Sequence, residues 1–468
     1  MPRQSERTVS DARPRLLIFV VAYNAEKTIR SVLTRIPTKL GEEYETEILI
    51  IDDSSRDGTF EEGHEVKRGQ QIPYPIHILH NPINQGYGGN QKIGYQYAIE
   101  NGFDFVALVH GDGQYAPERL PGLVAPLRDG EVGAVFGSRM MTRGGALKGG
   151  MPLYKFVGNK ILTWYENRML RTSLSEFHSG YRVYRVDALQ RIPFHLNTRD
   201  FHFDTEIIIQ LVIARIPILE LPIPTYYGDE ISHVNGLAYA WHVTVATTKA
   251  SLQELSLFYD RKFDCAPAPA VHAHYALKLG FTSSHTMALD AVRPGERVID
   301  LGCAGGLFGA QLRATRGCHV TGVDVAPPAE GVVLDRFVEH DLDRGPPDLD
   351  YDQADVVLLL DVIEHLKSPE HFVAELAQRL SPSTRLVVTT GNVAFGITRL
   401  MLLFGEFNYG KRGILDLTHS RLFTFKSLRA LFEQAGYRVL RVRGVPAPFP
   451  LAAGNNALGA ALLGLNKA

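Results

Sequence analysis

Short apolar runs, each closed by a polar cluster and then a helical pattern, recur along this chain in two separate series. That alternation restricts the fold more than any other feature. LLIFVVA (16–22) is a run of branched residues of the kind expected for a strand buried on both faces. A helix follows, with Asn24 as its expected cap, Ile29, Val32, Leu33 and Ile36 at helical spacing, and Pro37 as its end. EILIID (47–52), IHILH (76–80), FVALVH (105–110) and VGAVFG (132–137) read as further strands, and helical segments are predicted near 154–170 and 204–214. The series then restarts with RVIDL (297–301), HVTGVD (319–324), ADVVLLL (354–360) and RLVVTT (385–390). Ser368 and Pro369 open the helix after the third of these, with Phe372, Val373, Leu376 and Leu380 on its apolar face. Strand–helix alternation with short links predicts mainly parallel sheets covered on both sides.

A length of 468 residues predicts two to three domains at about 150 residues each. The expected division is a disordered arm over 1–14, an α/β domain over 15–258, a Pro- and Ala-rich linker over 259–274 and a second α/β domain over 275–468. With 49 Lys and Arg against 51 Asp and Glu, no global basic field exists to hold nucleic acid. The three cysteines, Cys265, Cys303 and Cys318, have no C-x-x-C spacing, which argues against a disulfide scaffold or a Cys-rich zinc site. The polar start is no secretory signal and no stretch is long enough to span a membrane, so a cytoplasmic location is expected.

Ligands of parallel α/β sheets bind beyond the carboxyl ends of the strands. In the first series those ends carry Ala22-Tyr23-Asn24-Ala25-Glu26, Asp52-Asp53-Ser54-Ser55-Arg56-Asp57-Gly58-Thr59 and His110-Gly111-Asp112-Gly113-Gln114-Tyr115. Carboxylates there suit ribose hydroxyls, base N–H groups or a divalent cation on a diphosphate, whereas each taken alone is an ordinary turn former or helix cap. VVAYNAEKTI, IIDDSSRDGT and NPINQGYGGNQKIGYQYAIENGFDFVALVHGDGQYAPE together resemble the family-two inverting glycosyltransferases, especially the dolichol-phosphate mannose synthase-like group, over about 14–235. The resemblance implies a GT-A fold, a nucleotide sugar contacted around Ala22, Tyr23, Glu26 and Asp53, a Mg²⁺ or Mn²⁺ ion on Asp112, and Gln114 close to the diphosphate. His110 stands where the family usually has the first Asp of Asp-x-Asp; imidazole ligates Mn²⁺ but brings no negative charge. FGSR resembles the family's Gly-Ser-Arg, which implies Arg139 as a phosphate contact, a role its planar fork of donors suits. EFHSGYRVY and FHFDTE look like acceptor-side motifs, with Asp204 and Glu206 as candidates for acceptor orientation or general base, against the plain alternative of a helix-start carboxylate pair. TYYGDEISHVNG resembles the closing loop, with Tyr227, Asp229 and Ser232 over the product side. The acceptor class expected is a polyprenyl phosphate or glycan. The stretch MPLYKFVGNKILTWYENRML is read either as a peripheral membrane contact or as a helix packed on the sheet.

VIDLGCAGG (298–306) is a strand entering a Gly-rich turn. A dinucleotide fingerprint would need glycine at 304 and 307, where Ala304 and Leu307 stand. Over about 275–445 the chain instead resembles the Rossmann-like class I methyltransferases. That resemblance implies S-adenosylmethionine held by Asp300, Gly302, Ala304 and Gly306, by Asp324 at the ribose, by Asp341 and Leu342 at the adenine, and by Asp361 in DVIEHL. His365 and His419 are weak candidates for a base. The class ends in an antiparallel strand, which the residues after VPAPFP do not offer. The function expected is therefore a glycosyltransferase fused to a methyltransferase acting on a small molecule or glycan; the alternative is a nucleotide-sugar-binding module without transfer activity beside an active methyltransferase.

Overall fold

The computed structural model describes residues 13–227, 235–254, 258–265, 277–411 and 413–445. The expected arm therefore lies outside the described residues up to residue 12, as do Asp229 and Ser232 and the C-terminal segment from 446. The chain forms two units, one over 1–254 and 259–267 and another made mainly of 268–468.

The first unit is built on β1 (Arg15–Ala22), β2 (Glu45–Asp52), β3 (Ile76–His80), β4 (Phe105–His110), β5 (Ala134–Ser138), β6 (Arg182–Arg185) and β7 (Ile218–Pro222), ordered β3-β2-β1-β4-β6-β5-β7. All pairings are parallel except those of β6, which runs against β4 and β5. β1 shows why its sequence is an unbroken apolar run: Leu17 and Phe19 enter the core on one face, while Leu16, Ile18, Val20 and Ala22 enter the core on the other. Strand order reverses between β1 and β4, so the crevice for a ligand opens at Ala22 and His110. Asn24 does not cap the following helix. It adopts φ 51°, Thr28 is the N-cap, and Asn24 Oδ1 accepts from Arg56 N at 3.0 Å, which ties the loops after β1 and β2 together.

The expected linker begins inside this unit. Arg261–Phe263 is a 3-10 turn, and Phe263 is buried in the same core as Phe19 and Ile208.

The second unit holds β8 (Arg297–Leu301), β9 (His319–Asp324), β10 (Arg336–Glu339), β11 (Val356–Leu360) and β12 (Arg385–Thr389), ordered β10-β9-β8-β11-β12 and parallel throughout. Here the order reverses between β8 and β11. Among the described residues this sheet has no antiparallel closing strand.

Candidate active sites

Asp53 is buried at the end of β2 and its carboxylate is already engaged. Asn81 Nδ2 and Gln85 N donate to Oδ1, both at 2.8 Å, and Gly86 N donates to Oδ2 at 3.0 Å. A carboxylate has about four lone-pair sites, so Asp53 shapes the 81–86 loop and keeps one site on Oδ2 for a ligand. Glu26 is similarly tied, accepting from Gly58 N at 3.1 Å, whereas Tyr23 is exposed. Asp112 is different: it is exposed, and Gln114 N at 2.9 Å is its one described hydrogen-bond partner. It is the least committed carboxylate of the three.

His110 ends β4 opposite Val21 and sits in a polar chain. Tyr87 OH donates to Asp204 Oδ2 at 3.0 Å and lies 3.2 Å from His110 Nε2. Because the phenol proton goes to Asp204, Nε2 must carry the imidazole proton, and Nδ1 keeps its lone pair. Burial holds His110 below the usual histidine range despite the nearby Asp112 and Asp204, so the ring is neutral. Burial, reinforced by Asp204, pushes the Tyr87 phenol well up, so it keeps its proton. Gly180 is part of this arrangement: a Cβ there would lie 2.6 Å from His110 Nε2 and 2.9 Å from Tyr87 OH.

Asp204 and Glu206 point to different tasks, as residues two apart on a helix do. Asp204 Oδ1 accepts from Gln91 Nε2 at 3.2 Å, and Arg182, fully buried, donates to the Asp204 carbonyl at 2.8 Å. Glu206 is equally buried but pairs with Lys262 Nζ at 2.5 Å and accepts from Thr198 N at 2.6 Å. Glu206 thus enters an ion pair that fastens the 260–263 segment, whereas Asp204 faces the Tyr87 chain.

Arg139 is buried against Glu176. Its N and Nε donate to the two carboxylate oxygens at 2.7 and 3.0 Å, NH2 reaches the His178 carbonyl at 2.9 Å, and NH1 reaches Tyr227 OH at 3.2 Å. Burial works against the guanidinium, but Glu176 outweighs it and holds the group charged. One N–H of NH1 is left over. Glu176 is in turn fixed by Asn159 Nδ2 at 2.9 Å.

In the second unit the turn after β8 holds Gly302 at φ 78°, Ala304 at φ 47° and Gly306 at φ 74°. Ala304 adopts a backbone that favours glycine because its N–H is drawn to Asp324 Oδ2 at 2.7 Å. Asp324 also takes Val325 N at 2.8 Å and Ala326 N at 3.3 Å on Oδ1. Like Asp53, it keeps one lone-pair site. Asp300 is buried beneath this turn; burial and then Asp324 push its carboxyl up to about 7. Asp341 accepts from Asp343 N at 3.0 Å beside the buried Leu342, and Asp361, exposed at φ 54°, accepts from Thr389 Oγ1 at 2.7 Å.

His365 and His419 come together, with ring centroids 4.7 Å apart. His365 Nδ1 faces the Thr418 carbonyl at 3.3 Å and His419 Nδ1 faces the Ile414 carbonyl at 3.0 Å. A carbonyl only accepts, so each Nδ1 carries its proton and each Nε2 is left basic. Burial, then His419, holds His365 below the ordinary histidine range.

Comparison with known proteins places each unit's domain in a family. The family model "Glycosyl transferase family 2" matches residues 17–193 and "Methyltransferase domain" matches 275–442. The chain is a fusion of a family 2 glycosyltransferase domain and a methyltransferase domain. The glycosyltransferase domain is 28% identical over 214 residues to an undecaprenyl-phosphate mannosyltransferase of Micrococcus luteus, covering 45% of this chain and 82% of that protein. The methyltransferase domain is 29% identical over 166 residues to a ubiquinone biosynthesis O-methyltransferase of Aeromonas salmonicida, covering 32% of this chain and 66% of that protein. A crystal structure of Mycobacterium tuberculosis glucosyl-3-phosphoglycerate synthase is also similar, at 16% identity and a TM-score of 0.38, covering 52% of this chain and 80% of that one.

In the glycosyltransferase domain the charges that act on His110 are those of Asp112, Asp204, Arg182 and Arg139, so the predicted Asp112, Asp204 and Arg139 share one neighbourhood with it. Tyr87, Arg182 and Glu176 were not singled out from sequence, although each lies within a quoted motif. Arg182 and Glu176 are buried and Tyr87 is half-buried, each held by polar partners that only the packing reveals.

Proposed function

We propose that the glycosyltransferase domain moves a sugar from a nucleotide sugar to a polyprenyl phosphate at a membrane surface. We further propose that the methyltransferase domain moves a methyl group from S-adenosylmethionine to an oxygen of a small molecule or glycan. The observation that carries the first reading is the cluster at the β1/β4 crevice: an uncommitted Asp112 beside a neutral His110 whose Nδ1 is bare.

One carboxylate and one neutral imidazole fit Mn²⁺ better than Mg²⁺, which takes oxygen ligands almost exclusively. A divalent cation held by Asp112 and His110 would neutralise charge on the departing diphosphate. The Asp204–Tyr87 pair fixes His110 in one tautomer, and Asp204 is thus a positioning residue. Arg139, locked by Glu176, offers its remaining N–H to phosphate without having to reorganise. An acceptor phosphate is already ionised, so its oxygen can form the new bond to the anomeric carbon while the bond to the diphosphate oxygen breaks. No strong base is needed, which agrees with the burial of both Asp204 and Glu206.

The helix Leu153–Leu170 supports a lipid-borne acceptor. It buries Asn159, Thr163, Glu166 and Leu170 while Leu153, Tyr154, Val157, Ile161 and Trp164 are exposed. Trp241 and Leu237 are exposed on the helix Gly236–Gln253, which packs against it. With Lys160 and Arg168 also exposed, this apolar face suits an anionic bilayer. No helix among the described residues is long and apolar enough to cross a membrane.

For the methyltransferase domain, S-adenosylmethionine supplies an already activated methyl group. The Nε2 lone pair of His365 or His419 is the candidate to take the proton of an acceptor hydroxyl as its oxygen bonds to the methyl carbon and the carbon–sulfur bond breaks.

The test is sugar transfer from a panel of nucleotide sugars to polyprenyl phosphate in vesicles with Mn²⁺. Transfer is expected with at least one donor and should fall at least about 100-fold in Asp112→Ala. Undiminished turnover in excess chelator would overturn the metal assignment, and hydrolysis or binding without transfer would overturn the acceptor.

A further inference from the structure

One set of side chains outside both sites converges as metal ligands do. Asp200, His202 and His242 each offer one donor atom, and the three atoms lie within 4.8 Å of one another. Asp200 and His202 stand in the loop before the helix Phe203–Ile213, where His202 is the N-cap, and His242 stands on the helix Gly236–Gln253. The two imidazole rings are 4.7 Å apart and tilted by 43°.

We propose that Asp200, His202 and His242 bind a divalent transition cation of the Zn²⁺ class, with a fourth position left to water. Two imidazoles and one carboxylate are a donor set that favours Zn²⁺ over Mg²⁺ or Ca²⁺. Zinc bonds of about 2.0–2.2 Å put ligand atoms roughly 3.4 Å apart in a tetrahedron, so the site must contract slightly. Asp200 and His242 are exposed, which leaves room for that contraction, while Asp200 Oδ1 accepts from Phe201 N at 2.7 Å. Glu206 Oε1 lies 3.9 Å from His202 Nε2, a carboxylate near the ring as ligating histidines commonly have. The positive charge of Lys262 is occupied by Glu206 and by Asp260 at 3.6 Å.

The cation would be a pin. It joins the helix Gly236–Gln253 to the loop whose Arg199 carbonyl accepts from Gly88 N at 2.8 Å and whose Phe201 ring stacks on Tyr87 at 5.4 Å. It would thereby steady the support of the Tyr87 chain without touching the donor diphosphate.

The test uses the untagged full chain stripped with chelator and titrated with Zn²⁺, and with Co²⁺ for its four-coordinate visible absorption. In Asp112→Ala, which removes the cleft's own cation ligand, one equivalent should still bind and raise the melting temperature; the His242 substitution is therefore compared in that background. His242→Ala, at an exposed helix position, should fold normally yet lose the absorption and bind at least about 10-fold more weakly. Equal Zn²⁺ binding by Asp112→Ala with and without His242→Ala, or no Zn²⁺ bound by Asp112→Ala at micromolar concentration, would overturn the proposal. Because Asp112→Ala separates this site from the cleft, failure here is distinct from failure of the glycosyltransferase reading.

Discussion

Single side chains explain how these sites are preorganised. Asp53 and Asp324 each give three lone-pair sites to backbone or amide N–H groups, so both carboxylates build their loops before they meet a ligand. Tyr87 has a similar indirect role. Tyr87→Phe should leave the fold intact but release the His110 tautomer, with Mn²⁺ affinity falling about 10–100-fold, measurable by the paramagnetic resonance of free Mn²⁺. Asp300 supplies a pH prediction. Its folded value of about 7 lies above its ordinary 3.8, so the unfolded chain binds fewer protons through that interval and stability falls as pH rises across it. Asp300→Asn should match wild type near the bottom of that window and exceed it above the top by on the order of 1–3 kcal/mol, read from denaturant unfolding at several pH values. Binding of the cationic methyl donor should release a proton from Asp300 near neutral pH. Calorimetry in buffers of differing ionisation enthalpy detects that release, and it should vanish in the Asn variant.

At the scale of elements, the helix Leu153–Leu170 is inverted, with polar residues inside and apolar ones outside. Its buried Glu166 accepts from Thr205 Oγ1 at 3.1 Å, and Asn159 serves Glu176, so the inner face belongs to the support of the acceptor side. Ile161→Asp with Trp164→Asp should abolish sedimentation with anionic vesicles while leaving the melting temperature within a few degrees, since both side chains are exposed. Retained sedimentation would remove the membrane role of this face. The sequence read this stretch as either a membrane contact or a packed helix, because its spacing is helical under both readings. Only knowing which stripe is buried separates them. The strands buried on both faces, β1, β2 and β4, were legible as apolar runs. β6 was not, because RVYR hides a buried guanidinium whose donors are met by the carbonyls of Phe177, Ser179 and Asp204. β10, short and half exposed, carried too little apolar signal to be read.

Over the whole molecule, the placement of the site residues at strand ends was readable from motif order, whereas the boundary between the domains was not. Composition marks 259–274 as linker, yet Phe263 fills the first core and Lys262 neutralises Glu206. Phe263→Ala should cost about 3–5 kcal/mol in that domain, and a fragment ending at 258 should be destabilised relative to one ending at 265, both measurable by chemical denaturation. The ion pair of Glu206 was illegible for the same reason: its partner Lys262 comes from a segment that composition describes as unstructured.

The left-handed backbone at Ala304 has an engineering consequence. A methyl group occupies a conformation that a bare hydrogen would occupy without strain, so the turn between β8 and the helix Leu307–Arg316 is held under tension of roughly 1 kcal/mol. Ala304→Gly would relax the native turn while widening the unfolded ensemble, trading steric ease for entropy. A homogeneous gain in heat tolerance from that exchange would identify the alanine as a tolerated irritant, whereas weaker cofactor retention would identify it as the stiffener that keeps the turn in shape.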